Sequence, residues 1–223
     1  MIKAILTDIE GATSSIAFVH ETLFPFARNQ MASFIEEQRE REDVAKHLAD
    51  ARAEAGIDAK GSVLEALLGW MDEDKKVTSL KALQGLIWEN GYRTGAIKGH
   101  IYEDAVKGLK QWHEAGIKLY VYSSGSIYAQ KLLFGYSEAG DLTPLFSDYF
   151  DTTSGHKREE ASYRVIADKI SIDPGSILFL SDVAQELDAA DSAGYQTIQL
   201  VRDANIVESD SHTKVSSFDG IQV

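Results

Sequence analysis

Two rhythms of apolar residues divide this chain. Ile2-Lys3-Ala4-Ile5-Leu6, Lys118-Leu119-Tyr120-Val121-Tyr122 and Ile177-Leu178-Phe179-Leu180 are short runs rich in Ile, Val, Leu and Tyr, each followed by a helix-like stretch. Such runs read as buried strands of a parallel sheet. From Tyr102 onward the two patterns alternate. A helix through Val106, Leu109 and Trp112 ends near Gly116, and the Leu119–Tyr122 strand follows. Next come a helix from Ser126, a short strand at Tyr149-Phe150, a helix through Tyr163 and Ile166, and the Ile177–Leu180 strand. A helix through Leu187 and Ala190 leads to Gln196-Thr197-Ile198-Gln199-Leu200, which is expected to close the sheet. The tail from about Ala204, polar and acidic, is loosely specified.

Residues from about 20 to 100 follow the helical rhythm alone. Ala27, Met31, Phe34 and Ile35 form a stripe behind Pro25, a residue that suits a helix start. Val44, Leu48, Ala51 and Ala55 form a second stripe, stopped by Gly56. Ser62-Val63-Leu64-Glu65 has the spacing of a capping box and opens a third helix through Leu67, Leu68 and Met71. Leu80, Leu83 and Ile87 predict a fourth, ended by Gly91. The expected fold is therefore α/β: a doubly wound, Rossmann-like parallel sheet with an all-helical cap inserted after the first strand. Residues 1–18 and 101–223 would form the core and 19–100 the cap, seated over the carboxyl ends of the strands.

Composition narrows the function classes. With 22 Lys and Arg against 35 Asp and Glu, the net charge is −13, which leaves no basic face for nucleic acid or an anionic membrane. A small anionic ligand stays possible, because a local metal and a lysine can reverse the sign of a pocket. The absence of cysteine removes disulfides, zinc–thiolate sites and thiol catalysis. No apolar signal segment opens the chain and no stretch approaches a membrane span, so a cytoplasmic protein is expected. No heptad or edge-pairing run demands a partner, and a monomer is expected.

The chemistry lies where the predicted strands end. Asp8-Ile9-Glu10-Gly11, Ser123-Ser124-Gly125-Ser126 and Ser181-Asp182-Val183 each follow an apolar run directly. In open α/β sheets ligands bind beyond the carboxyl ends of the strands, so the three clusters should converge. Asp8 would attack phosphorus and form an aspartyl-phosphate. Glu10 would protonate the leaving oxygen and then activate water; its alternative is to cap the following turn. Ser123 and Ser124, with the N–H groups of the helix start, would seat an anion, or else simply cap the helix. Asp182 would hold Mg²⁺ together with Asp8 and a backbone carbonyl near Glu10. Lys157 would pair with Asp8 and the phosphate as a point charge. Glu186 either holds a metal-bound water, pairs with Lys157 or is a surface acid in the first turn of a helix. His156 and Arg158 read as structural, and Asp72-Glu73-Asp74 as a solvated helix end.

In order and placement, Asp8, the Ser123-Ser124 segment, Lys157 and Asp182 resemble the four motifs of the haloacid dehalogenase-like hydrolase superfamily. Most phosphatases of that superfamily carry Asp two residues after the nucleophile; here Glu10 stands there, and its acidity argues against halide displacement. A narrower resemblance rests on Asp8-Ile9-Glu10-Gly11-Ala12-Thr13, Ile16-Ala17-Phe18-Val19, Leu23-Phe24-Pro25, Leu83-Gln84-Gly85, Ile87-Trp88, Tyr122-Ser123-Ser124-Gly125-Ser126, Gln130-Lys131-Leu132-Leu133-Phe134-Gly135 and Gly155-His156-Lys157. These are similar to the acireductone synthase family, the bifunctional enolase-phosphatases of methionine salvage. That resemblance implies Mg²⁺ as cofactor and 2,3-diketo-5-methylthiopentyl-1-phosphate as substrate, enolised first and then dephosphorylated to the acireductone. It implies Asp8, Glu10 and Asp182 at the metal, Ser123, Ser124 and Lys157 at the substrate, and Asp8, Glu10 and Lys157 in catalysis. The base for enolisation is left open between Glu10 and the Tyr92–His100 segment. Phe18, Leu23 and Trp88 either receive the methylthio tail or belong to a core. The alternatives are a generic small-metabolite phosphomonoesterase of the same superfamily and a non-catalytic Mg²⁺- or phosphate-binding module.

Overall fold

A computed structural model describes residues 1–58 and 61–223. Six strands, β1 (Ala4–Thr7), β2 (Lys118–Tyr122), β3 (Phe146–Phe150), β4 (Ile177–Ser181), β5 (Gln196–Leu200) and β6 (Thr213–Val215), form one sheet in the order β3-β2-β1-β4-β5-β6. Every neighbouring pair is parallel. The strands read as continuous apolar runs because both faces are covered. Ile5, Leu119, Val121, Leu178 and Leu180 point to one face, under Leu109 and Trp112 of a helix spanning Glu103–Glu114. Their neighbours Ala4, Leu6, Tyr120, Tyr122 and Phe179 point to the other face. There they meet Tyr163 and Ile166 of the Glu160–Ile170 helix and Leu187 of the Ala184–Ser192 helix. Strand connections leave β1 toward β2 and β4 toward β5, so the order reverses between β1 and β4. That reversal is the topological switch point at which such sheets bind ligands.

The chain divides into two compact units, Met1–Phe18 with Lys98–Val223, and Val19–Ile97. Among its described residues the second unit contains helices and no strand. It has its own core, built from Ala27, Met31 and Phe34 on one helix, Val44 and Ala51 on the next, then Leu67, Leu83 and Ile87. Ser62 caps as its spacing predicts, its hydroxyl accepting the Glu65 N–H at 3.2 Å. The Trp88 indole N–H donates to the Leu23 carbonyl at 2.8 Å, so these two residues brace the helical unit internally. Among the described residues no helix is long and apolar enough to cross a membrane.

Three expectations need correction. Gln196–Leu200 is not the last strand: β6 pairs with it, and the tail beyond is held by Phe218, which packs on the Trp112 ring at 5.3 Å. A three-residue strand separated from its partner by twelve largely polar residues carries no alternation long enough to read. Gly91 does not end its helix, which runs Thr78–Thr94 and stops at Gly95 in the left-handed conformation (φ 75°). Gly91 is needed for space, since a Cβ there would lie 2.5 Å from the Phe26 ring. Finally, helical structure begins well before Pro25, with a turn at Ile16–Phe18 and a π-helical stretch at Val19–Leu23 leading into Phe24–Gln38.

Candidate active site

Asp8 is the first residue beyond β1, and its N–H still extends the ladder to the Leu180 carbonyl at 2.8 Å. The chain then turns tightly: Thr13 and Ser14 both donate their N–H groups to the Ile9 carbonyl, and the Thr13 hydroxyl reaches the Asp8 carbonyl. Gly11 enables this turn with φ 74°, and it has a second use. A Cβ on Gly11 would lie 2.3 Å from Asp182 Oδ2, so the bare backbone leaves room for that carboxylate. Asp182 follows β4 as Asp8 follows β1. The two acids therefore flank the switch point.

Lys157 joins the acids. Its Nζ lies 2.7 Å from Asp8 Oδ1 and 2.6 Å from Glu186 Oε2, with all three side chains nearly enclosed. Of the three roles open to Glu186, pairing with Lys157 is the one observed, and it is no surface acid. Asp8 Oδ1 also accepts the Ile9 N–H at 2.8 Å. The Ser181 hydroxyl stands 3.1 Å from Glu186 Oε2 and 3.4 Å from Asp8 Oδ2. Burial by itself would pull the Lys157 ammonium toward neutrality, but the charges of Asp8 and Glu186 outweigh it and raise its pKa. Lys157 is thus a fixed cation. Burial, then the nearby Asp8 charge, pushes the Asp182 carboxyl up to about 7. The same two causes raise Glu186.

Asp8, Glu10, Ser123, Ser124, Lys157 and Asp182 all line one cavity of about 130 Å³, with Glu186 behind them and Ile16 as an apolar wall. Glu10 is exposed at its rim, Ser123 is buried and Ser124 is exposed. The anion seat differs from expectation in one respect. Ser126, not Ser123, caps the helix, its hydroxyl accepting the Ala129 N–H, and the first helical N–H, that of Ile127, is taken by Asp151 Oδ2 at 3.2 Å. Asp151 gave no sequence signal, because an Asp before two threonines reads as an ordinary turn. Its Oδ1 does make that turn, accepting from the Thr153 N–H and hydroxyl. Ser181 was also missed as a contact to the acids, since its hydroxyl is indistinguishable in sequence from a strand-end cap. Within the Tyr92–His100 segment, His100 belongs to the unit that holds the cavity, and its Nδ1 accepts the Ser15 N–H at 3.2 Å.

Three carboxylates around one ammonium leave negative charge uncompensated, and a phosphate would add more. A divalent cation fits that imbalance. Among the described residues no group of three His, Cys, Asp or Glu is spaced to hold a metal. Mg²⁺ does not need one: it takes one or two carboxylates and fills its octahedron with carbonyls, waters and phosphate oxygens. Asp8 and Asp182 suit it.

Comparison with known proteins gives the family. The family model described as haloacid dehalogenase-like hydrolase matches residues 2–194. Enolase-phosphatase E1 of Pseudomonas fluorescens (strain Pf0-1) is 55% identical over 99% of this chain and 97% of its own length. That of Methylococcus capsulatus is 54% identical over 100% of this chain and 98% of its own. Among solved structures, the UTR4 protein of Saccharomyces cerevisiae superposes with a TM-score of 0.85 at 33% identity, over 99% of this chain and 100% of that one. CbbY of Rhodobacter sphaeroides shares the fold at a TM-score of 0.61, 16% identity and coverage of 99% of this chain and 96% of its own. With its acids at the switch point and relatives of one name along its whole length, this chain belongs to the haloacid dehalogenase-like hydrolases, within the enolase-phosphatase E1 family.

Proposed function

We propose that this protein is a Mg²⁺-dependent enolase-phosphatase that converts 2,3-diketo-5-methylthiopentyl-1-phosphate to the acireductone and phosphate. The observation that carries this reading is Asp8 held against Lys157 in the cavity that Glu10, Ser123, Ser124 and Asp182 also line. The names of the full-length relatives support both half-reactions. Asp8, Asp182 and a carbonyl near Glu10 would hold the metal. When bound, Mg²⁺ neutralises phosphate charge and steadies a developing oxyanion.

Enolisation removes a proton from the carbon next to a carbonyl. Glu10 is the base we favour. His100 accepts the Ser15 N–H at Nδ1, so in its neutral form the proton sits on Nε2 and that nitrogen donates rather than abstracts. Dephosphorylation begins with attack by an Asp8 oxygen on phosphorus. Oδ1 is held by the Lys157 ammonium and the Ile9 N–H, which aims the carboxylate without moving parts. The bond from phosphorus to the enol oxygen breaks, and Glu10 returns a proton to that oxygen. Water then attacks phosphorus, the bond from phosphorus to the Asp8 oxygen breaks, and the carboxylate and phosphate are freed. The proton of the water passes through Glu10 to the enolate oxygen left by enolisation, so that Glu10 is again a base. Lys157, Ser123 and Ser124 would hold the phosphate oxygens throughout. The protein would act in the cytoplasm as a monomer, the second point checked by sedimentation.

The test is turnover of the diketo phosphate, with enol formation followed by ultraviolet absorbance and phosphate release measured separately. Wild type should do both. Asp8→Asn should still form enol but release no phosphate, and Glu10→Gln should lose both steps. Release of phosphate from simple esters, with the diketone untouched, would overturn the reading in favour of a generic phosphomonoesterase.

A further inference from the structure

Beyond the cavity, one fully buried side chain ties a metal-side loop to the tail. Gln199 lies on β5 with no solvent exposure. Its Nε2 donates to the backbone carbonyl of Asp182 at 2.9 Å and to that of Val207 at 2.9 Å. Its Oε1 accepts the Ser209 N–H at 2.8 Å. Both donor hydrogens and the acceptor are used, on two separate stretches of backbone, so the amide orientation is fixed by its partners. The register places Gln199 opposite Ser181, the residue just before Asp182. The side chain thus reaches the loop where it leaves the sheet. Its other two partners belong to the polar tail, which carries no regular strand until Thr213.

We propose that Gln199 is a positioning residue for the metal. By holding the Asp182 carbonyl it fixes the backbone from which the Asp182 carboxylate projects, and the tail from Val207 to Ser209 holds Gln199 in turn. Outer partners of a ligand commonly set metal affinity, and their loss costs roughly 10–100-fold. A buried amide could have been an ordinary core feature. The carbonyl it holds belongs to the acid whose carboxylate lies so close over Gly11 that not even a methyl group fits between them. A shift of the Asp182 main chain is therefore felt at the carboxylate.

This inference rests on the proposal that Asp182 binds Mg²⁺, and the experiment separates the two. Mg²⁺ binding to the metal-free protein is measured by titration calorimetry, together with the rise in melting temperature that Mg²⁺ produces, for wild type, Asp182→Asn and Gln199→Met. Gln199→Met keeps the length of the side chain and removes all three hydrogen bonds. The expected result is tight binding by wild type, none by Asp182→Asn, and an affinity for Gln199→Met weaker by about tenfold or more. A purely structural role would lower the metal-free melting temperature of Gln199→Met and leave its Mg²⁺ affinity unchanged, and that outcome overturns the inference. Equal binding by wild type and Asp182→Asn would instead overturn the metal reading. Should Gln199→Met not fold, Ser209→Pro, which removes the N–H held by Oε1 and with it the hydroxyl that accepts the Ser211 N–H, is read in the same way against Ser209→Ala, which removes the hydroxyl alone.

Discussion

Single atoms decide most of what this site can do. A methyl group on Gly11 would overlap Asp182 Oδ2 and would sit on a backbone at φ 74°. Gly11→Ala should therefore cost about 1–3 kcal/mol from the strained dihedral, and it should weaken Mg²⁺ binding as the carboxylate is displaced. Urea unfolding and Mg²⁺ titration of the same variant check both effects. Lys157 poses a sharper case. Its ammonium is shared by Asp8 and Glu186 inside the protein, and replacing it by Met would leave two buried carboxylates facing each other. Breaking a buried pair from one side typically costs about 3–5 kcal/mol. Lys157→Met should be destabilised on that scale and inactive, whereas Lys157→Met combined with Glu186→Gln should recover stability but not turnover. Recovery of turnover in the double variant would remove Lys157 from the chemistry.

Elements obey packing where propensity points the other way. Inside the Thr78–Thr94 helix, Ala is favoured over Gly by about 1 kcal/mol. Yet Gly91→Ala would drive a methyl into the Phe26 ring, 2.5 Å away, and against Ile97 at 3.1 Å. Overpacking of this kind costs about 1–3 kcal/mol, so the substitution should lower the denaturation midpoint despite its better propensity. Gly95→Ala has open space around it and meets only the left-handed backbone, the same dihedral cost of about 1–3 kcal/mol as at Gly11. This pair also shows why the end of that helix was misread. Sequence marks a glycine but not whether it is there for its dihedral or for its lack of a side chain. The strands β1, β2 and β4 were legible because both faces bury, which makes their apolar runs continuous. The end of the sheet was not, because Thr213–Val215 is short and partly exposed, and it is held by a partner strand rather than by its own pattern. Within the site, the acids and the lysine could be located because strand ends predict where side chains gather. Glu186 was left among three roles, since only the distance to Lys157 distinguishes them. Gln199 gave no signal for the same reason, and Ser181, though part of a cluster expected at the site, had no legible partner: nothing in a strand-borne polar residue says which backbone or side chain it will meet.

At the scale of the whole molecule, the site is a stability liability that a bound cation would relieve. Three carboxylates sit near one ammonium, and burial with the Asp8 charge pushes the Asp182 carboxyl up to about 7, well above the usual carboxylate range. An acid whose folded pKa is raised binds its proton more tightly in the folded state. Its contribution to stability is therefore fully present below the unfolded pKa and is lost as pH rises through the folded one. Metal-free protein should accordingly lose stability from this group between about pH 4 and pH 7, by up to about 4 kcal/mol and by less to the extent that solvent screens the charge. Asp182→Asn has no proton to lose, so it should lack that component and be the more stable protein above pH 7 when no metal is present. Bound Mg²⁺ reverses the ranking. A ligand at a hundred times its dissociation constant stabilises the folded state by about 2.7 kcal/mol, an increment open to wild type and closed to the variant. Urea unfolding of both proteins at pH 5 and pH 8, with and without Mg²⁺, gives the four comparisons required. A wild type that remains more stable than Asp182→Asn at pH 8 without metal would mean that the buried charge is compensated by the protein itself. The electrostatic case for a cation between Asp8 and Asp182 would then fall, whatever the fold and the relatives suggest.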